Sequence, residues 1–156
     1  YADAIATIRV LGYKAPAAGA TQWGTLSSTT LLAGQQPLSW PTPDGYPHTI
    51  DPWLGAASVL ARMNMHSDLA NAKTIAALSP GWKKLASVDA GKPWGDVLDN
   101  LEQRVLFTTT KPAHREAVLA LISKKATDTA SAAELEALVP TAVLPALLNS
   151  PYHWSV

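Results

Sequence analysis

Between Gly34 and Gly55 the chain reads GQQPLSWPTPDGYPHTIDPWLG, and five of these twenty-two residues are proline. No other feature limits the fold as strongly. Proline holds its own φ near about −65° and lacks the N–H that a helix interior or a central strand needs, and it drives the preceding residue out of the α region. Pro41 and Pro43 therefore keep Trp40 and Thr42 extended, and residues 38–43 are predicted to carry no helix. Pro43-Asp44-Gly45 reads as a turn, because proline presets φ at the second position and glycine accepts the positive φ that comes next. Asp51-Pro52 reads as a helix start: aspartate caps an orphan N–H, and proline suits the first helical position, where no N–H is missed.

Outside that stretch the apolar residues recur at helical spacing. Ile5, Ile8 and Leu11, with Ala4, lie on one face of a helix that Gly12 would stop. Along 52–70, Trp53, Ala57, Leu60 and Asn64, with Ala56, Val59 and Met63 offset, form a broad stripe that reads as a core helix. Val97, Leu98, Leu101, Val105 and Leu106 share a face after Pro93, with Asp96 and Asp99 near the N-terminus, where the helix dipole favours them. Pro112 opens a helix with Val118, Leu119, Leu121 and Ile122 apolar and two lysines at its C-terminal end; the HRE at 114–116 reads as its solvated face. Ser131 and Glu134 have the spacing of a capping box, and Pro140 and Pro145 are expected to break the last segment into helical pieces at 132–139 and 140–149. The prediction is an all-α fold, an irregular bundle of six or seven short helices joined by Pro-rich loops. Its helices fall near 2–12, 25–34, 52–70, 93–107, 112–124 and 132–149, and no run alternates long enough to argue for a sheet.

A chain of 156 residues suits one domain, since a domain of roughly 150 residues buries about 70% of its unfolded surface. Twelve basic residues balance twelve acidic ones, which removes the footprint that nucleic acid would require. The absence of cysteine excludes disulfides, thiol nucleophiles and thiolate metal sites. The longest purely apolar run, AVLALI at 117–122, is far short of the roughly 20 residues of a membrane span. Charged residues make up only 15% of the chain, against about 25% in typical soluble domains, so part of the surface is expected to be a contact surface. The first residues already read as a helix in mid-pattern, and the chain is expected to be a fragment or processed product with apolar surface exposed on and around its first helix.

The sequence offers little chemistry. His48, His66, His114 and His153 are scattered, and none has the spacing that sets two ring nitrogens of one helix on a metal; His66 with Asp68 is a weak pair. No metal ligand set, cofactor motif or catalytic residue is assigned. The one concentration of polar and aromatic groups is the proline-rich stretch, where Trp40, Asp44, Tyr46, His48, Asp51 and Trp53 are candidate binding residues: a carboxylate among rings can have a shifted pKa, and a sugar can stack on the rings. A structural role explains the same residues, Asp44 by the turn, Asp51 by the helix cap, and Trp40 and Trp53 by burial.

The segment LLAGQQPLSWPTPDGYPHTIDPWLGAASVLARMN, residues 31–64, resembles the signature region of a large bacterial family known as domain of unknown function eighteen hundred. LPALLNSPYHW resembles that family's closing LL-x-SP box, here Leu147, Leu148, Ser150 and Pro151, and ADAIATIRVLG is similar to the helix that precedes the GQ-PL element. The resemblance covers most of the chain. It implies a mostly helical, exported protein several times longer than this chain, secreted, periplasmic or in the cell envelope and often encoded beside a sulfatase-like companion. This chain would be its C-terminal third. No activity or catalytic residue comes with the resemblance. The expected function is a non-catalytic binding or assembly module, whose partners are the missing N-terminal part of the same protein, a companion exported protein or a polysaccharide. The alternative is part of an enzyme acting on an extracellular polymer, with Asp44, Asp51 and His48 lining a cleft.

Overall fold

Local backbone chemistry sets several helix ends in the computed structural model, which describes residues 2–14, 17, 21, 24, 27, 28, 55–71 and 80–154. Helix α1 runs Ala2–Val10 and stops at Gly12, which takes φ 73°. There Gly12 N–H donates to Arg9 O at 3.1 Å and Tyr13 N–H to Ile8 O at 3.1 Å, the paired bonds of a Schellman ending that needs a left-handed residue. A second requirement falls on the same place: a Cβ on Gly81 would lie 2.8 Å from the Gly12 carbonyl oxygen, so two glycines let the two backbones touch.

Helix α2 covers Ala56–Ala70, α3 Trp82–Leu85, α4 Trp94–Val105, α5 Pro112–Leu121 and α6 Ala132–Leu138. A π-helical turn, Val139–Val143, joins α6 to α7, Leu144–Leu148, and α8 is Pro151–Trp154. No strand occurs among the described residues; Pro93 and Thr129 form an isolated bridge. The fold is all-α, as the periodicity predicts. Of the predicted helix at 25–34, Ser27 and Ser28 are helical, and the rest lies outside the described residues. The predicted turn at 43–45 and the Asp51-Pro52 start lie outside them too.

The core centres on α7, which packs on α2 and α4, while the π turn meets α2, α5 and α6. Leu144, Leu147 and Leu148 are fully buried, as are Val97, Leu98, Leu101, Val105 and Leu106 of the α4 stripe. Tyr13 closes one side by donating its hydroxyl to Leu69 O at 2.5 Å, and burial pushes its phenol up to about 12.

Four expectations need correction. Pro140 ends the α-helix at Leu138, as predicted, but the piece predicted at 140–149 is not one α-helix: lacking an N–H, Pro140 sits in the wider π turn, where Leu144 N–H reaches back five residues to Val139 O, and helical backbone continues into α7. The helix predicted at 112–124 ends at Leu121, which is 62% exposed, and Ser123 turns left-handed at φ 55°, so Lys124 leaves the helix end and pairs with Glu134. Arg115 of the HRE does not face solvent but bonds the buried Glu102 at 2.6 Å. In α2, most of the described part of the stripe read as core faces outward: Leu60 is 59% and Met63 39% exposed, Val59 is half-buried, and the buried side chains are Met65, His66, Leu69 and Ala70. Helical period identifies a face but not which face meets a neighbour.

The predicted capping box is present: Ser131 Oγ accepts from Glu134 N–H and Ser131 N–H donates to a Glu134 carboxylate oxygen at 2.9 Å. The ammonium of Lys124, with the Ser131 backbone and hydroxyl, holds the Glu134 carboxyl down at about 2. An unfolded glutamate titrates near about 4.3, so in this window the unfolded chain takes up the proton first and acid favours unfolding. The stabilisation is complete above the unfolded value and is lost as pH falls from about 4.3 through about 2. Glu134→Gln keeps the reciprocal cap but not the charge. In urea unfolding at pH 5 and pH 2.5, the wild type is expected to lose more stability between the two than Glu134→Gln; equal losses refute the coupling.

Candidate functional site

The described residues place one buried cluster of ionisable groups where three helices meet. Asp3 stands in the first turn of α1, where the positive end of the helix dipole favours a carboxylate. Arg62 and His66 are one turn apart on α2 and so share a face. His153 arrives from α8, and Asn149 ends α7.

Their contacts converge on Asp3. Arg62 Nε donates to Asp3 Oδ2 at 2.9 Å, His66 Nε2 lies 3.2 Å from Asp3 Oδ1, and His153 Nε2 lies 3.6 Å from the same oxygen. The two imidazoles stand nearly perpendicular, at 85°, with centroids 5.4 Å apart. On its other side, His66 Nδ1 is 2.7 Å from Asn149 Oδ1. His66 is wholly buried, whereas the side chains of Asp3 and His153 remain 15% and 8% exposed. Burial by itself would raise the Asp3 carboxyl, but hydrogen bonds from His153 and His66 and the positive potential of His66 and Arg62 hold it well below the usual carboxylate range. Asp3 is thus a fixed anion, able to orient two imidazoles, to hold a proton between them, or to share a cation with them.

The partner of His66 is Asp3 rather than Asp68. Residues two apart on a helix do not face each other, so the pair suggested by proximity in sequence does not form. The other predicted site residues, Trp40, Asp44, Tyr46, His48, Asp51 and Trp53, lie outside the described residues. Sequence spacing alone misses the cluster, because its members come from three helices and His66 stands 63 and 87 residues from its two partners. The signal in the sequence is a histidine and an arginine at i and i−4, on the same side of α2 as Leu69 and Ala70.

A second ionic group, on α4, is structural: buried Glu102 accepts from Thr110 Oγ1 at 2.5 Å and from Arg115 Nη1 at 2.6 Å. Its carboxylate is satisfied by these neighbours. A shallow hollow between Lys83, Asp89 and Leu135 brings together no comparable set.

The profile of a family described as "Protein of unknown function (DUF1800)" matches residues 1–154. The chain belongs to this family. No curated protein and no solved structure matches it. The family's closing box has a clear mechanical role here: Leu147 and Leu148 are fully buried, Ser150 Oγ donates to Leu147 O at 2.6 Å, and Pro151 opens α8. That reversal carries His153 back to Asp3. Among the described residues, no helix is long and apolar enough to cross a membrane.

Proposed function

We propose that this chain is a non-catalytic binding or assembly module of an exported bacterial helical protein, and that the outward face of α2 is its contact surface for the N-terminal part of the same protein. One observation carries this reading. Ala56, Ala57, Leu60, Met63 and Asn64 are exposed together on one side of α2 and include no charge, whereas the opposite side of the same helix is core. A helix apolar on both faces normally packs on both, and depletion of charge marks the centre of a protein interface. Among the described residues, the other exposed large apolar side chains, Leu85, Phe107 and Leu121, lie apart from one another, as single surface residues commonly do. The resemblance to much longer family members supplies the occupant, and the exported setting rests on that resemblance as well. The alternative, hydrolysis of an extracellular polymer, rests on Asp44, Asp51 and His48 alone.

Mass determination of the native protein comes first, followed by calorimetric titration of its separately produced N-terminal part into this chain. Leu60→Glu with Met63→Glu is expected to weaken association by about tenfold or more, while leaving the chain's own unfolding free energy within about 0.5 kcal/mol. A native protein no longer than this chain, or equal association by the double variant, rejects the reading.

A further inference from the structure

The three donor atoms at the meeting of α1, α2 and α8 form more than an ion pair. We propose that Asp3, His66 and His153 bind a divalent first-row transition ion of the zinc type through Asp3 Oδ1, His66 Nε2 and His153 Nε2.

The geometry fits such an ion. One ligand atom from each of the three residues lies within 4.8 Å of the other two, and the two imidazole Nε2 atoms stand 3.2 and 3.6 Å from Asp3 Oδ1. Two ligands bound at roughly 2.0–2.1 Å in a tetrahedral array are about 3.4 Å apart. The three groups need to shift little to coordinate one centre.

The surrounding contacts have the form that metal ligands require. A ligating histidine normally gives its second ring N–H to an oxygen, and a ligating carboxylate is itself hydrogen-bonded. His66 Nδ1 has Asn149 Oδ1 at 2.7 Å, and the other oxygen of Asp3 takes Arg62 Nε at 2.9 Å. Binding a cation here requires His66 to keep its proton on Nδ1, toward Asn149 Oδ1, so that the Nε2 lone pair faces the carboxylate oxygen in place of the N–H bond to Asp3. In that tautomer a positive centre belongs between them. A cation shared with His153 supplies it without placing a second charged side chain beside Arg62 in a buried site.

Donor chemistry selects the ion. Two imidazoles and one carboxylate suit zinc, iron, cobalt or nickel, whereas calcium and magnesium take oxygen ligands. Three protein ligands leave a coordination position open, and the partial exposure of Asp3 and His153 gives ions a way in. Because the ligands come from both ends of the described chain, binding ties α1 to α8 through α2.

The test uses the full chain, freed of metal by chelation and titrated with zinc in a calorimeter, with calcium as control and cobalt for its visible ligand-field spectrum. One equivalent of zinc is expected to bind, calcium is not, and at a free zinc concentration a hundredfold above Kd the Tm is expected to rise by about 5–10 °C. His153→Gln and Asp3→Asn should each weaken zinc binding by more than about tenfold, and Asn149→Ala by about 10–100-fold, with metal-free circular dichroism confirming that each variant is folded. His114→Gln should bind as the wild type does. Should the wild type bind no stoichiometric zinc, respond equally to calcium, show a cobalt spectrum without nitrogen ligands, or bind zinc undiminished in folded His153→Gln, the proposal is overturned. The wild-type titration and cobalt spectrum decide even if a variant fails to fold. Neither depends on the α2 contact face.

Discussion

Arg115→Leu is expected to lower the free energy of unfolding by about 3–5 kcal/mol, the range for removing one partner of a buried ion pair. Glu102 is wholly buried on α4 and is met by donors from the α4–α5 turn and from α5: Thr110 Oγ1 at 2.5 Å, Thr110 N–H at 3.3 Å and Arg115 Nη1 at 2.6 Å. Arg115 also joins Asp99 at 2.5 Å and Gly95 O at 3.4 Å, so its guanidinium ties the start of α4 to its middle. Leucine leaves the carboxylate with two neutral donors and no countercharge, and the desolvation that the pair offset becomes a net cost. Urea unfolding at pH 7 followed by circular dichroism measures the loss, and a decrease in Tm of about 6–20 °C should accompany it. The coupling is checked by adding Glu102→Gln: the double variant should recover part of the loss, because it removes the stranded charge. A loss below about 1 kcal/mol for Arg115→Leu alone would mean that Arg115 is not what sustains the buried carboxylate.

Trp94→Ala should destabilise by a similar amount, about 3–5 kcal/mol, through lost burial and the cavity left behind. Trp94 is 1% exposed and opens α4 directly after Pro93, anchored by its N–H to Asp128 O at 2.9 Å. Its indole Nε1 has no hydrogen-bond partner among the described protein atoms. The expected loss is therefore one of packing, and Trp94→Phe, which keeps an aromatic ring and removes the orphan N–H, should cost clearly less. Thermal unfolding of both variants separates the two contributions. If phenylalanine proves as damaging as alanine, the indole N–H is bonded, and the packing account is wrong.

The interior of α4 was legible from sequence because its stripe is unambiguous: its apolar residues fall on one side and its charged residues, Glu102 apart, on the other. Periodicity failed on α2, where Leu60 and Met63 on one face compete with Met65 and Leu69 on the other. It could not read Glu102 as buried either, since the charge becomes tolerable only when Arg115 and Thr110 fold over it. The candidate cluster was less legible still. Asp3, His66 and His153 each have an ordinary local explanation, and the most conspicuous rings in the sequence, Trp40, Tyr46 and Trp53, lie outside the described residues.

Features that act within about four residues are written in the chain itself. Gly12 ends α1 because glycine accepts positive φ, Pro112 opens α5 because the first helical position needs no N–H, and Ser131 with Glu134 caps α6 by reaching three residues along the chain. Only packing settled which face of α2 met the core, how a π turn absorbed Pro140, and which charged groups met. Range separates the two kinds. Capping and turn energies depend on neighbours in the chain, whereas the 83 residues between His66 and Asn149 are closed only by the way α2 packs on α7, and that packing is set by the summed burial of a core no local pattern contains.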